Sequence, residues 1–437
     1  MNSETVSFPR RRGLSRTNER VAWVFTVLAA LSPSVSRSAD GAAFPAGPLM
    51  RNVAEFGLHS TNAPGTNREA LQRAIDWAAV RGAGLWVEPS EEPYRVESGL
   101  VLRQNVSLIG VHGPVGRGTR HPTLRQPVGS VFRIEDDRAP FLTVEGSTQV
   151  RGLQFWYPEQ TLNDPAKVVA YPPTIQVSKS RSAQGVTLSS LTFYGEYVAM
   201  DFRAAREHPC EQILFEHCYG YPLSGEFIRI DYCYDIPRVL HCHVNPANLR
   251  YFRGGYSRSV IDSVVARKTF TYWIDHTDNA VLMDLFTFGS YGGVYLGPAT
   301  YGQLTNFNLD CVTIGIHKLG DGTFNRNWQI AQGSIIANTG PTVSEVHPIV
   351  IEGQGHITLN GVEAFSGGNP ALTTLRMSQD FLCVRGDKRL TVSMVGCRMR
   401  NYAAEDPITL ANPKARIQAV ACVDRNEAWV NGTWGDE

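Results

Sequence analysis

The stretches Val186–Phe193 (VTLSSLTF), Ile213–Gly220 (ILFEHCYG) and Pro237–Val244 (PRVLHCHV) share one pattern of apolar and polar residues. Each stretch has apolar or small residues at its first, third, sixth and eighth positions. The starts lie 27 residues apart (186 to 213) and 24 residues apart (213 to 237). A two-residue period places the apolar side chains on one face of a strand. Repeats of this length are typical of a β-solenoid, in which stacked coils bury that face.

The same pattern continues along the chain. Further stretches that fit it are Ser259, Ile261, Val264 and Ala266; Val281, Met283, Phe286 and Phe288; Ile357, Leu359, Val362 and Ala364; and Leu390, Val392, Val395 and Cys397. A β-sandwich would also contain many short strands, but it does not account for a register that is carried through so many turns. The pattern therefore predicts an all-β fold of stacked coils.

An amphipathic helix precedes the repeats. Thr66 and Glu69 have the spacing of a capping box at its start, and Gly82 is placed to end it. Its apolar face would consist of Ala70, Leu71, Ala74, Ile75 and Ala78. Such a helix would cover the first coil, whose open strand edge otherwise invites aggregation.

Four segments of the N-terminal part resemble the opening of pectate-lyase-superfamily proteins. They are Asn52–Gly57 (NVAEFG), Gly84–Pro89 (GLWVEP), Tyr94–Val96 (YRV) and Val106–Gly110 (VSLIG). The resemblance implies a right-handed single-stranded parallel β-helix of the pectin-lyase-like type, with an N-terminal capping α-helix. It does not imply one reaction, because that superfamily includes hydrolases, lyases, epimerases and phage tail proteins.

The N-terminus has the order of features of an export signal. Five arginines precede an apolar run from Val21 to Leu31, and small residues follow as far as Ala39. The run is shorter than the roughly 20 residues that a membrane span needs but suits a signal peptide. We therefore expect a signal peptide over residues 1–39 and a single domain over 40–437, with its cap at about 48–110 and its coils at about 111–425. The mature protein should be secreted or periplasmic and should not associate with membranes.

The charge and the cysteine content of the chain argue against nucleic acid and metal ions as partners. Lys and Arg number 41, as do Asp and Glu, so the chain lacks the basic excess of a nucleic-acid-binding protein. The eight cysteines include no CxxC pair, which argues against a metal site, and their even number suits an oxidising compartment. We interpret most of them as small buried fillers. The oligomeric state is not indicated by the sequence.

Acids follow inward-facing apolar residues at three places. Asp201 follows Met200, Asp231 follows Ile230, and Asp275 follows Ile274 and precedes His276. Asp201 and Asp231 would lie one coil apart if their strands are aligned. A pair of carboxylates is what glycoside hydrolysis requires, so these two are the preferred catalytic acids, with Asp275 and His276 in a substrate-binding role. The alternative is that these acids bond to turn amides and end the strands.

Two neighbouring coils would expose histidines on the same flank. One coil exposes Glu216, His217 and Tyr219, and the next exposes Arg238, His241 and His243. Equal offsets stack His217 on His241 and Tyr219 on His243, at the strand spacing of about 4.8 Å. Arg238, His241 and His243 could act in proton transfer or bind an anion, and Glu216, His217 and Tyr219 could bind substrate. The alternative is a solvated polar face.

Aromatic side chains could form platforms for sugar rings. The candidates are Trp156, Tyr157, Tyr219 and Tyr221. Burial under a long loop is an equal alternative for Trp156 and Tyr157, because large aromatic residues usually contribute to packing.

Motifs separate the candidate reactions only partly. Asp136-Asp137 is the one Asp-Asp pair, and the other motifs of polygalacturonases are missing. Trp273–His276 (WIDH) resembles a signature of calcium-dependent pectate lyases, but the accompanying R-x-P-x-x-R element is absent. The sequence therefore predicts a secreted enzyme, a glycoside hydrolase acting on a polysaccharide without a cofactor. The alternatives are a non-catalytic glycan-binding protein and a polysaccharide lyase, which could use calcium or could act without metal through Arg238 and His241 or His243.

Overall fold

The computed structural model describes residues 49–112, 126–320, 327–338, 345–365, 378–400 and 402–435. Gly47–Glu437 is one compact unit. The predicted signal peptide lies outside the described residues. Within those residues, no helix has the length and hydropathy of a membrane span.

The described strands wind into a right-handed parallel β-helix in which each coil visits three sheets in turn, here called sheets A, B and C. Alternating side chains point into the coil, and each strand pairs with its equivalent on the next coil. The strands of sheet A are Leu100–Leu102, Leu142–Val144, Ile175–Val177, Met200–Arg203, Ile228–Asp231, Phe270–Ile274, Gly292–Leu296, Ile314–Lys318, His347–Glu352, Leu382–Arg385 and Ile408–Leu410.

Sheet B follows sheet A along each coil, and sheet C follows sheet B. Sheet B contains Met50–Asn52, Gly84–Val87, Ser107–Gly110, Gln149–Arg151, Ala183–Gln184, Thr187–Ser189, Cys210–Glu211, Leu214–Glu216, Cys233–Tyr234, Arg238–Leu240, Thr277–Met283, Thr300–Thr305, Trp328–Ala331, Gly355–Asn360, Leu390–Val395, Ala415–Val423 and the antiparallel Trp429–Trp434. Sheet C contains Tyr94–Val96, Val131–Ile134, Gln154–Trp156, Thr192–Tyr194, Tyr219–Gly220, His243–Val244, Phe286–Phe288, Asn308–Val312, Ser334–Ala337, Glu363–Ala364 and Arg398–Met399.

Helix α1 (Pro64–Ala79) packs against Leu100–Leu102 of sheet A, Gly84–Val87 of sheet B and Tyr94–Val96 of sheet C. Its buried face contains all five of the predicted apolar residues. The predicted capping box is wrong, because the helix begins at Pro64 after Ala63, and both Thr66 and Glu69 lie inside it. Proline suits the first helical position, since its missing N–H would have had no partner there.

Two short α-helices interrupt the coils. They are α2 (Arg250–Arg253) and α3 (Arg258–Ala266), and single 3₁₀ turns lie at Val53–Phe56, Pro165–Lys167 and Pro246–Leu249. The coil predicted at 259–266 is wrong, because these residues form α3. Ser257 caps that helix by accepting a hydrogen bond from the backbone N–H of Val260. Its buried residues include Val260 and Val264, which lie four positions apart and therefore on one face of the helix.

A shared interior column runs through sheet B. Leu188, Phe215 and Val239 are in register, and Leu282 follows them on the next coil, where the predicted column had Ile261 of α3. The prediction for Val281, Met283, Phe286 and Phe288 was therefore one residue out of register. The buried residues of that coil are Ala280, Leu282, Leu285 and Thr287. Apolar residues occupy both faces of this segment, so alternation could not choose between the two registers.

A second correction concerns the coil that begins at Leu390. Met394 is buried in register with Leu359, whereas Val395 is 43% exposed. The inward residues are therefore Val392, Met394, Cys397 and Met399.

The corner between sheets B and C is a tight turn with one residue in the left-handed backbone region. On successive coils this residue is Ser190, His217, His241, Asp284 and Asn306, with φ between 52° and 54°. Polar residues adopt this conformation more readily than β-branched ones. The repeated turn therefore brings the two predicted histidines next to each other at this corner.

Candidate functional site

Aromatic rings line the outward face of sheet A. Trp273, Tyr295 and His317 are in register on three successive coils. The rings of Trp273 and Tyr295 are 5.6 Å apart and almost parallel, with an angle of 4° between their planes. The ring of His317 is 5.8 Å from Tyr295 and almost perpendicular to it. All three side chains are only partly buried, so they offer a ring surface at the outside of the coil.

Two carboxylates lie at the end of sheet A, where the chain turns toward sheet B. Asp231 ends the strand Ile228–Asp231, and Asp275 directly follows Phe270–Ile274. Because Ile230 pairs with Ile274, the two acids occupy equivalent positions on successive coils. Oxygens of both carboxylates and a ring nitrogen of His276 all lie within 4.8 Å of one another. The residues Asp231, Asp275 and His276 are here called the acid cluster.

Hydrogen bonds hold the acid cluster in place. Nδ1 of His276 lies 2.8 Å from Oδ1 of Asp231 and 3.7 Å from Oδ2 of Asp275. Oδ1 of Asp275 accepts the backbone N–H groups of His276 (2.9 Å) and Ala299 (3.1 Å). The ring of Tyr232 stacks on that of His276 at 4.4 Å. Each acid is thus followed by a ring-bearing residue at positive φ (50° for Tyr232, 36° for His276), which explains how the rings come face to face.

The surroundings of Asp231 raise the pKa of its carboxyl group. Burial raises the pKa of Asp231, and the negative charge of Asp275 raises it further, although the hydrogen bond and charge of His276 oppose the shift. A carboxyl group with a raised pKa holds its proton at higher pH and can therefore serve as a proton donor.

Asp201 does not pair with Asp231, contrary to the sequence prediction. Asp201 is in register with Arg229, and Asp231 is in register with Arg203, a displacement of two residues. Oδ2 of Asp201 accepts hydrogen bonds from Arg203 (2.7 Å) and Arg229 (3.4 Å). Burial alone would raise the pKa of Asp201, but the bonds and charge of Arg203 outweigh it and lower that pKa. Asp201 is therefore a charged structural partner and a poor proton donor.

The predicted histidine flank is on a different side of the coil. His217 and His241 lie at the corner between sheets B and C, and their rings stack at 4.8 Å. Tyr219 and His243 are in register on sheet C, with their rings 6.3 Å apart. Sheet B separates these residues from the acid cluster, so the candidate acids and the candidate histidines lie on different flanks of the β-helix.

The corner between sheets B and C that carries His217 and His241, here called the histidine corner, has its own polar contacts. Nδ1 of His241 lies 2.7 Å from Oδ2 of Asp284, and Nδ1 of His217 lies 3.7 Å from Oε1 of Glu216. Arg238 donates a hydrogen bond to the carbonyl of Ile236 (3.0 Å) at the start of its sheet B strand. A cleft of about 600 Å³ continues along this corner, with lining residues that include His243, Asp284, Phe286, Asn308 and Glu363.

All four of the aromatic residues predicted to bind sugars are buried. Trp156 packs with Val131, Tyr194 and Leu249 beneath the segment that carries α2. Tyr157 is 2% exposed, and its hydroxyl lies 2.8 Å from that of Thr174. Tyr221 is 1% exposed and donates a hydrogen bond to the carbonyl of Gly289. Tyr219 is 8% exposed between the rings of His112 and His243, which leaves little of its face for a ligand.

The acid cluster does not fit the calcium ion that the lyase resemblance implies. Calcium takes six to eight oxygen ligands. Here the donors are two carboxylates and an imidazole nitrogen, and one oxygen of Asp275 already accepts two backbone N–H groups.

Sequence reasoning missed the ring-bearing residues Tyr295 and His317. Their signal is present in the chain, since Trp273, Tyr295 and His317 follow one another at intervals of 22 residues (273 to 295, 295 to 317). The alignment of these three rings is revealed only by the 22-residue repeat between Trp273 and His317. The coil before Trp273 is lengthened by α2 and α3, so its length does not predict this repeat.

The sequence matches no protein-family model and no curated protein. Among solved structures, the chain is similar to DFA-IIIase from Arthrobacter chlorophenolicus without its lid, with a TM-score of 0.51 and 11% identity over 84% of this chain and 94% of that one. A mutant of the same enzyme in complex with DFA-III gives a TM-score of 0.50 and 11% identity over 86% of each chain. The catalytic unit of a GH87 alpha-1,3-glucanase from Streptomyces thermodiastaticus gives 0.39 and 11% over 89% of this chain and 70% of that one. The DFA-IIIase matches show a shared right-handed parallel β-helix fold.

Proposed function

We propose that this protein is a glycoside hydrolase that binds a polysaccharide or oligosaccharide along the outward face of sheet A and cleaves it at the acid cluster. The observation that carries the proposal is the pair of carboxylates, Asp231 and Asp275, beside the stacked rings of Trp273 and Tyr295. The fold shared with DFA-IIIase, which has been solved in complex with DFA-III, is consistent with this proposal.

The two acids have complementary roles in the proposed reaction. Asp231, whose pKa is raised, donates a proton to the glycosidic oxygen as the bond to carbon breaks. Asp275, held by two backbone N–H groups, attacks the anomeric carbon and forms a glycosyl ester. Water then hydrolyses the ester while Asp231 takes a proton from that water. His276 is a positioning residue that fixes the carboxylate of Asp231.

The spacing of the acids favours retention of configuration at the anomeric carbon. Retaining enzymes have carboxyl groups about 5 Å apart, whereas inverting enzymes leave room for a water at about 6.5–9.5 Å. Ligand atoms of Asp231 and Asp275 lie within 4.8 Å of each other, which corresponds to the shorter class.

The rings of sheet A would hold the sugar. The C–H faces of sugar rings are apolar, and the parallel rings of Trp273 and Tyr295 offer an apolar surface on successive coils. Arg229 and Glu226 lie in the same region and contact each other through an ion pair, so hydroxyl groups of the sugar would find both donors and acceptors there.

The test is a panel of polysaccharides, assayed together for new reducing ends and for the ultraviolet absorbance of unsaturated uronates. Reducing ends without that absorbance are expected from the wild type. Asp231→Asn and Asp275→Asn should each lower the rate by about 100-fold or more, the usual contribution of an acid–base group. Asp284→Asn is the matched control, because Asp284 lies at the histidine corner and asparagine tolerates its positive φ.

Each other outcome excludes the proposal in a different way. Unsaturated products would establish a lyase, and binding without any product would establish a glycan-binding protein. Loss of activity in the Asp284 variant alone would place the reaction at the histidine corner.

We further propose that the enzyme is exported through its N-terminal signal and works without a cofactor. Fractionation of cells that produce the full chain should find it outside the cytoplasm, shortened at the N-terminus. Activity should survive treatment with a chelator.

A further inference from the structure

Six of the eight cysteines lie in pairs on successive coils, in the interior of the β-helix. Each member of a pair is no more than 1% exposed. The pairs are Cys210 with Cys233, Cys218 with Cys242, and Cys397 with Cys422.

The register of the coils places the members of each pair side by side. Cys210 and Cys233 pair directly in sheet B. Cys218 and Cys242 each precede a residue of the pair Tyr219 and His243. Neighbouring strands lie about 4.8 Å apart, within the 4.4–6.8 Å between Cα atoms that a disulfide accepts.

The third pair, Cys397 and Cys422, lies in the last two described coils. It lies between Val395, in register with Val420, and Arg398, in register with Val423. The hydrogen bonds of these thiols go to backbone carbonyls, to which Cys218, Cys242, Cys397 and Cys422 each donate. Both side chains of each pair point the same way into the coil, so a short approach of the two sulfurs is enough to join them.

The other two cysteines are placed differently. The sulfur of Cys383 accepts a hydrogen bond from Nε of Arg385 (3.1 Å), and its neighbours in sheet A are Val350 and Thr409. The sulfur of Cys311 lies 3.4 Å from the amide nitrogen of Asn338. These two thiols therefore form an internal control for a test of the six.

We propose that the three pairs are sites of disulfide formation, which would join successive coils of the β-helix at Cys210–Cys233, Cys218–Cys242 and Cys397–Cys422. In each pair two S–H bonds break and one S–S bond forms. The two electrons and two protons pass to a small-molecule disulfide such as oxidised glutathione, which is reduced to two thiols.

Two of these disulfides would stabilise corners of the β-helix, one beside the acid cluster and one at the histidine corner. The Cys210–Cys233 link lies directly after Asp231 and Tyr232, and the backbone N–H of Cys233 donates to the carbonyl of His276. The Cys218–Cys242 link directly follows the stacked His217 and His241. Each bond would close a loop of one coil, which restricts the unfolded chain more than the folded one.

The test refolds the reduced full chain and equilibrates it with oxidised glutathione during refolding, because the thiols are buried in the folded chain. It then unfolds the protein in denaturant with an alkylating reagent and counts alkyl groups by intact mass. Eight cysteines less three pairs leaves two alkylated thiols, against eight for a sample reduced beforehand. Peptide mapping without reductant should find the three named links and leave Cys311 and Cys383 alkylated. The oxidised sample should also melt several degrees above the reduced one.

Variants check the pairing without requiring a change in the fold. Cys311→Ser should lower the count of alkylated thiols from two to one and leave all three links. Cys218→Ser should raise it to three, because Cys242 loses its partner. Eight alkyl groups after equilibration, or links that join other cysteines, would overturn the proposal. Neither result would bear on the hydrolase activity, because the acid cluster contains no cysteine.

Discussion

Oδ1 of Asp231 lies 2.8 Å from Nδ1 of His276, a residue on the next coil. This bond joins two residues that are 45 positions apart in the chain, with α2 and α3 between them. It exists because the helical insertion leaves and rejoins the β-helix without changing the alignment of Ile230 with Ile274. The proposed proton donor and the residue that holds it are thus brought together by coil stacking.

The bond between His276 and Asp231 predicts a shift in the pH dependence of activity. A proton donor must be protonated, so kcat/KM should fall as the pH rises above the pKa of Asp231. The hydrogen bond and charge of His276 lower that pKa. In His276→Asn, which keeps a residue suited to positive φ, the pKa should rise and the alkaline fall in activity should move to higher pH.

The measurement is a pH profile of kcat/KM for both proteins on one substrate. Tyr232→Phe serves as the control, because it keeps the ring that stacks on His276. An alkaline fall that stays in place or moves to lower pH in the His276 variant would contradict the role of Asp231.

Trp273 is expected to contribute to substrate affinity rather than to the chemical step. Trp273→Ala removes one ring of the stacked pair on sheet A, and KM should rise about 10-fold, equivalent to about 1.4 kcal/mol of binding, with little change in kcat. Trp429→Ala is the matched control, because Trp429 is 73% exposed on the last strand. Equal effects of the two substitutions on KM would rule out the sheet A platform.

Neighbouring residues of one sheet B strand should differ sharply in their effect on stability. Leu282 is fully buried in the interior column, whereas Met283 faces outward and is partly exposed. Leu282→Ala should therefore lower the free energy of unfolding by about 2–5 kcal/mol, as expected for a buried leucine, and Met283→Ala should lower it much less. Urea unfolding of the two variants measures the difference, and the opposite ranking would restore the register first predicted from the sequence.

The buried Glu196 predicts that stability falls as the pH rises. Its side chain is fully buried, Oε1 accepts the backbone N–H of Tyr221, and burial raises its pKa to about 8. The folded protein therefore binds one more proton than the unfolded chain between the ordinary pKa of 4.5 and about 8. Within this window the group lowers the free energy of unfolding by about 1.4 kcal/mol for each unit of rising pH.

Glu196→Gln mimics the protonated side chain and should remove this contribution. Urea unfolding at pH 6 and pH 9 should show a smaller loss of stability in the variant than in the wild type. Glu207→Gln, at an exposed glutamate, is the control and should behave like the wild type. If Glu196→Gln loses as much stability between pH 6 and pH 9 as the wild type does, the pH dependence arises from other groups.

The sequence alone was enough to recognise the stacked coils and most of their interior. Leu188, Phe215 and Val239 were predicted in one column and lie in register there. The reason is that a two-residue period separates inward from outward side chains within each strand, and a repeat of about two dozen residues aligns strands of successive coils. Both signals are local, so they can be read without coordinates.

Only the tertiary structure decided which outward residues meet. A slip of two residues keeps every side chain on its face, so alternation could not show that Asp201 lies beside Arg229 and that Asp231 lies beside Asp275. Nor could it show that the acids and histidines belong to different corners, because that depends on where each coil bends between its sheets. Most of the interior followed from the sequence pattern, while the candidate site depended on the register between coils and on the positions of the turns.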